Sequence, residues 1–110
     1  MTTKTYFENL VNATDESYRL SMIMNAYRLL EQIVKYDEQS TMFWRESNEA
    51  DNEHDEHMYQ RLSDVADGKV SSFANSYEII TGREIVACKS AAWNEMEWLR
   101  ETLELDDLLA

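Results

Sequence analysis

The scarcity of residues that reverse the chain constrains this sequence most. It has no proline, and its only glycines are Gly68 and Gly82. Sheets depend on tight turns, which usually require glycine or proline at positions with special backbone angles, whereas helix interiors need neither. The sequence therefore predicts an all-α fold. Its 110 residues, 44% of them hydrophobic, suffice for one core, so we expect a single small helical domain over residues 1–110.

Apolar residues recur at spacings of three and four, which is the period of a helix. In the longest such segment they include Ile23, Tyr27, Leu30 and Val34 and cover a wide arc. A wide arc is typical of a helix that contacts several neighbours or also faces a second subunit. Five helices are expected in all: residues 5–12, a long helix to about Trp44 or beyond, one ending at Gly68, one ending near Gly82, and a last one that begins at the Thr81 to Glu84 capping pattern and passes Leu103.

Location and redox chemistry follow from what the sequence lacks. No apolar run approaches the roughly 20 residues that span a bilayer, and no secretory signal is recognisable. We therefore expect a cytoplasmic protein with no membrane partner. The single cysteine, Cys88, cannot form an internal disulfide, and it lies near Ala87 and Ala91 in a helical pattern. The pattern predicts a small side chain that fills the core.

The formal net charge of −12 is concentrated in two stretches. Residues 46–67 contain eight acids and one base, and residues 95–110 contain six acids and one base. If residues 46–57 are helical, Glu46, Glu49, Glu53 and Glu56 share one face, where each like-charge pair costs a few tenths of a kcal/mol. A polar loop is the alternative. Asp51 and Asp55 lie in the same stretch, and Glu97, Glu101 and Glu104 predict a second acidic stripe on the last helix.

Acidic helices of this kind suggest a nucleic-acid mimic. Clefts that bind nucleic acid are lined with Lys and Arg that neutralise phosphates, and carboxylates can take the place of phosphates there. The same charge argues against direct nucleic-acid binding. Met42, Phe43 and Trp44 stand directly before the first acidic stretch and are either an apolar anchor beside it or the closure of the core.

In composition, though in no motif, the chain resembles small acidic helical phage proteins that disable bacterial restriction or CRISPR nucleases. The resemblance implies a non-enzymatic anti-restriction or anti-CRISPR inhibitor whose partner is a basic nucleic-acid-binding protein, such as a host-defence nuclease complex. Two alternatives stay open: acidic faces that only confer solubility, and a helical assembly protein that forms a homodimer through its longest helix. The residues expected to bind the partner are Phe43, Trp44, Glu46, Glu49, Asp51, Glu53, Asp55, Glu56, Glu97, Glu101 and Glu104.

Metal and enzyme chemistry are not expected, and neither is a cofactor. The only group with metal-ligand character is Asp51, Glu53, His54, Asp55, Glu56 and His57. Its histidines are three residues apart, unlike the zinc-protease pattern, and no second Glu-x-x-His motif completes a di-iron site. Glu53 with Glu56, and Glu101 with Glu104, have the Glu-x-x-Glu spacing of helical nucleotide pyrophosphohydrolases, but this spacing is common in a chain with 22 acids.

Overall fold

The computed structural model describes residues 16–103, which form three helices: α1 (Glu16–Glu49), α2 (Glu53–Thr81) and α3 (Lys89–Leu103). The all-α class is confirmed. The expected five helices are not found, because α2 is a single helix where two were predicted, and the helix expected over residues 5–12 lies outside the described residues. The first two helices form an antiparallel hairpin, and α3 packs mainly against α1.

Local capping explains where α2 begins and ends. Asn52 is its N-cap, and the Asn52 side chain accepts a hydrogen bond of 2.8 Å from the Asp55 amide. At the other end Gly82 adopts a left-handed φ of 76°, and its amide donates to the Glu78 carbonyl at 2.7 Å. Thr81 does not begin the next helix. Its hydroxyl donates to the Tyr77 carbonyl and accepts from the Arg83 amide, so it belongs to the end of α2.

The last helix begins at Lys89, later than the capping pattern predicted, because its cap comes from elsewhere in the fold. Asp37 of α1 accepts a hydrogen bond of 2.6 Å from the Lys89 amide. The Cys88 thiol accepts from the Ala91 amide at 3.5 Å, so Cys88 is a half-buried capping residue rather than core filler. Residues 82–88 therefore cross back along the hairpin without helical structure.

Gly68 was predicted to end a helix, and this is wrong. It lies inside α2, because the buried stripe of Ala66, Val70, Ala74 and Tyr77 continues past it without interruption. Packing along the stripe outweighs the cost of roughly 1 kcal/mol that an interior glycine imposes. A Cβ added at Gly68 would meet no atom within 4 Å among the described residues.

Gly68→Ala is therefore expected to raise the free energy of unfolding by about 0.5–1 kcal/mol, because alanine lowers the backbone entropy of the unfolded chain and fits a helical site without contact. Chemical denaturation of the two proteins measures the difference. A loss of similar size would indicate a left-handed residue and a helix that ends there.

The wide apolar arc of α1 is covered from two sides. Ala26, Ile33, Ser40 and Ser47, seven residues apart, are all buried along the seam with α2, in the manner of an antiparallel coiled coil. The adjacent positions Ile23 and Leu30 are also buried and belong to one core with Ala92 and Leu99 of α3. The arc thus reflects a central helix with two neighbours from the same chain.

The seam becomes polar toward the turn between α1 and α2. Ser40 donates to the Asp67 carboxylate at 2.5 Å, and Ser63 donates to the Ser40 carbonyl at 3.1 Å. The Ser47 hydroxyl is buried and has no hydrogen-bond partner within residues 16–103. Because α3 starts beside Asp37, residues 38–66 project beyond it as a two-helix hairpin, which we call the distal hairpin.

A buried ion pair ties the segment after α2 to α3. Arg83 donates to both oxygens of Glu95, one of these bonds being 2.9 Å long, and Tyr77 donates to the same carboxylate at 2.6 Å. The guanidinium lies 3.7 Å from the centre of the Trp98 ring. Hydrogen bonding to Glu95 raises the pKa of Arg83 above its ordinary value, although partial burial acts in the opposite direction.

Candidate functional site

The acidic residues around positions 46–56 surround a helix reversal. Glu46 and Glu49 lie at the end of α1, whereas Glu53 and Glu56 lie in the first turn of α2. The expected single helical face of four carboxylates is therefore wrong. The chain reverses because the Ala50 amide bonds to the Ser47 carbonyl at 3.3 Å and Asn52 caps a new helix. Six residues make up this group, which we call the acidic tip: Glu46, Glu49, Asp51, Glu53, Asp55 and Glu56.

All members of the acidic tip are exposed except Asp55, which is half-buried. Asp55 has a local structural role, since its carboxylate accepts from the Asn52 amide group at 3.0 Å. Within the described residues, the only ion pair formed by the tip joins Glu53 to His57 at 4.0 Å, and both side chains are largely exposed. The tip therefore presents a negative surface to solvent with little compensating charge.

The two halves of the acidic tip differ in how they affect the helices that carry them. Glu53, Asp55 and Glu56 stand at a helix N-terminus, where the partial positive charge of the backbone favours carboxylates. Glu46 and Glu49 stand in the last turn of α1, which contains no basic residue, and there the backbone charge disfavours them. Helix stability accounts for the acids of α2 but not for those of α1.

Neutralising the two halves should therefore have opposite effects. Glu46→Gln with Glu49→Gln is expected to raise the free energy of unfolding, and Glu53→Gln with Glu56→Gln to lower it, by about 0.3–1 kcal/mol per residue at low salt. Denaturation at low and at 1 M salt measures both, and each effect should shrink at high salt. Changes of the same sign in both pairs would mean that general charge repulsion dominates.

The aromatic segment before the acidic tip divides between packing and exposure. Phe43 is half-buried and stacks on Tyr59 of α2 with 6.5 Å between ring centres. Trp44 is 54% exposed and Met42 is 47% exposed, so neither closes the core. Trp44 lies two heptads after the buried Leu30, but at this level of α1 there is no third helix to cover it. The indole is therefore an exposed aromatic directly beside the acidic tip.

A second apolar feature of the distal hairpin was not predicted as a site. Met58, Leu62 and Val65 of α2 are 42%, 38% and 57% exposed. Together with His54, His57 and Arg61 they line a shallow groove. Their helical spacing had suggested a packing face, but the buried face of α2 is the neighbouring stripe that contains Ser63, Ala66 and Val70. One signal was available in the sequence: the two stripes are offset by one position along the same helix. We call Met58, Leu62 and Val65 the apolar stripe.

The second acidic stretch lies far from the first. Arg100 contacts the Tyr27 ring and Lys89 contacts Asp37, so α3 runs antiparallel to α1 and away from the tip. Glu97 and Glu101 are exposed at the opposite end of the molecule, roughly 30 Å from the tip at 1.5 Å per helical residue. Glu104 lies outside the described residues. The structure therefore does not combine the two acidic stretches into one face.

The described residues contain no group of three or more His, Cys, Asp and Glu side chains arranged to hold a metal ion. His54 and His57 are exposed on α2, where they line the groove beside the apolar stripe. None of the three helices between residues 16 and 103 is both long and apolar enough to cross a bilayer.

No family model, curated protein or solved structure matches this chain. Its function is therefore argued from the charge and geometry of the distal hairpin.

Proposed function

We propose that the distal hairpin binds the basic cleft of a nucleic-acid-binding protein and thereby excludes nucleic acid from it, without catalysing a reaction. The observation that carries the proposal is the pair Glu46 and Glu49, which are exposed at the end of α1 where the helix dipole disfavours them. A partner lined with Lys and Arg would stabilise these carboxylates. The compositional resemblance to anti-restriction and anti-CRISPR proteins suggests a host-defence nuclease complex as one such partner.

The physical basis is an exchange of counterions. A basic cleft binds nucleic acid largely by neutralising phosphates, and the counterions released make the affinity fall steeply with salt. Adjacent carboxylates of the tip are roughly 5–6 Å apart where they are one helical turn apart, as Glu46 and Glu49 are. Binding through the tip should therefore share the salt dependence of nucleic-acid binding.

Exposed apolar groups beside the tip would supply the part of the affinity that salt does not screen. Trp44 and Met42 present apolar surface directly before Glu46, and tryptophan is enriched among the residues that dominate binding energy at interfaces. The distal hairpin thus combines an aromatic contact with a rim of carboxylates. This arrangement favours a protein partner over a purely solubilising role.

The homodimer that was the alternative would have used the apolar arc of α1. That arc is covered by α2 and α3, as the burial of Ile23, Leu30 and Ile33 shows. Self-association through the arc would require the hairpin to open, and we do not propose it.

Displacement from immobilised DNA tests the proposal. Lysate of the native cell is loaded on a DNA column, and the column is then washed with the purified chain at low salt. We expect the chain to release a discrete nucleic-acid-binding protein, and a Trp44→Ala, Glu46→Gln, Glu49→Gln variant to release much less of it. If the chain releases nothing, or the variant releases the same proteins in equal amount, the proposal is wrong.

A further inference from the structure

The apolar stripe carries an inference that does not depend on the proposed function. We infer that it is the centre of a two-fold symmetric dimer in which α2 packs antiparallel against α2 of a second copy. The stripe faces away from the α1 and α2 seam, and no element between residues 16 and 103 covers Met58, Leu62 or Val65. Its charged neighbours in the groove are cationic or neutral, so it is chemically distinct from the acidic tip.

Charge arrangement points to a second copy as the occupant. Arg61 and Asp64 are exposed, lie one turn apart along the same edge of the stripe, and form no ion pair with any described residue. In an antiparallel pair of identical helices, an edge of one helix meets the same edge of the other. Each Arg61 would then lie opposite the Asp64 of the second copy, which gives two equivalent ion pairs.

The register follows from the same geometry. Residues of two antiparallel copies lie opposite each other when their numbers add to a constant. If Leu62 lies on the two-fold axis, Met58 of one copy falls within one position of Val65 of the other, and Arg61 within one position of Asp64. One register therefore satisfies both the apolar contacts and the ion pairs.

The size of the stripe sets the strength of the dimer. Three partly exposed apolar side chains bury far less than the roughly 800 Å² per partner of a standard stable interface. The dimer is therefore reversible, with a dissociation constant on the order of 10 μM to 1 mM. Rim ion pairs of this kind contribute more to register than to affinity.

A charge-swap cycle tests the dimer and its register. The mass of the wild-type chain, measured by sedimentation from about 10 μM to about 1 mM, is expected to rise from that of a monomer toward that of a dimer. Arg61→Asp and Asp64→Arg should each remain closer to monomer, because each places like charges opposite each other. An equimolar mixture of the two variants should associate at least as well as the wild type, because opposite charges then face each other at both positions.

Disulfide trapping supplies a second readout. In a Cys88→Ser background, Leu62→Cys should form a disulfide-linked dimer under mild oxidation, whereas Ile79→Cys, on the same helix and 74% exposed, should not. Circular dichroism confirms that the helices are retained. A mass that stays monomeric up to about 1 mM would overturn the inference. So would a mixture that fails to associate, or Ile79→Cys crosslinking as fast as Leu62→Cys.

Discussion

Replacing Arg83 with methionine is expected to lower the free energy of unfolding by about 3–5 kcal/mol, among the largest effects of any single substitution in this chain. Arg83 provides two of the three hydrogen bonds to the Glu95 carboxylate, and the Glu95 side chain is only 7% exposed. Without the guanidinium, a buried carboxylate keeps only the bond from Tyr77. Removing one partner of a buried pair is costly because the other charge stays desolvated.

The control is the double variant Arg83→Met, Glu95→Gln, in which the glutamine oxygen still accepts from Tyr77 but no buried charge remains. It should be more stable than Arg83→Met alone. The raised pKa of Arg83 means that its stabilising charge is present below its unfolded pKa and is lost only as pH rises through a still higher value. The cost should therefore be constant between neutral and mildly alkaline pH. Urea denaturation of the three proteins measures it, and a cost below about 1 kcal/mol for the single variant would contradict the pairing.

Leu30→Ala is expected to lower the free energy of unfolding by about 2–5 kcal/mol, because Leu30 is fully buried where α1 meets its neighbours and its truncation leaves a cavity. Leu62→Ala removes the same atoms from a side chain that is 38% exposed. At protein concentrations of a few micromolar, where a weak dimer is dissociated, it should cost less than about 1 kcal/mol. Denaturation midpoints compared at constant slope separate the two. Equal costs would mean that α1 is not the central helix of this fold.

Features that depend on local periodicity were predictable from the sequence. The spacing of Ile23, Leu30 and Val34 identified the central helix, and the lack of proline identified the all-α class. Gly82 could be recognised as a boundary, but Gly68 could not be distinguished from it. A glycine tolerates both left-handed and helical angles, and only the continuous packing of Ala66 and Val70 shows which one it adopts.

Features that depend on contacts distant in sequence were not predictable. The start of α3 is fixed by Asp37, which lies 52 residues before the amide that it caps. The reversal after Glu49 depends on Asn52, whose capping role competes with continuation of the helix. The partner of each buried charge was also not predictable, since Glu95 appears in the sequence as one more acid of the C-terminal stretch.

The candidate site was predicted in part. The acidic stretch and the adjoining aromatics were singled out correctly as neighbours, and the exposure of Trp44 agrees with an anchor role. Their arrangement was not, because one helical face became a tip formed by two helix ends. The consequence concerns which residues report on function: Glu53 and Glu56 also stabilise the start of α2, so only Glu46 and Glu49 can be changed without weakening a helix.

The central claim is that the position of the acids, and not only their number, determines binding. Glu46→Gln, Glu49→Gln and Glu97→Gln, Glu101→Gln each remove two negative charges, but the two sites are roughly 30 Å apart. The measurement is the affinity of both variants and the wild type for the protein released from DNA, at about 50 mM and 300 mM salt. We predict that the tip pair weakens binding at least about tenfold at low salt and less at high salt, while the distant pair changes it less than about twofold. Equal weakening by both pairs, or none by the tip pair, would show that the acidic tip is not the binding surface.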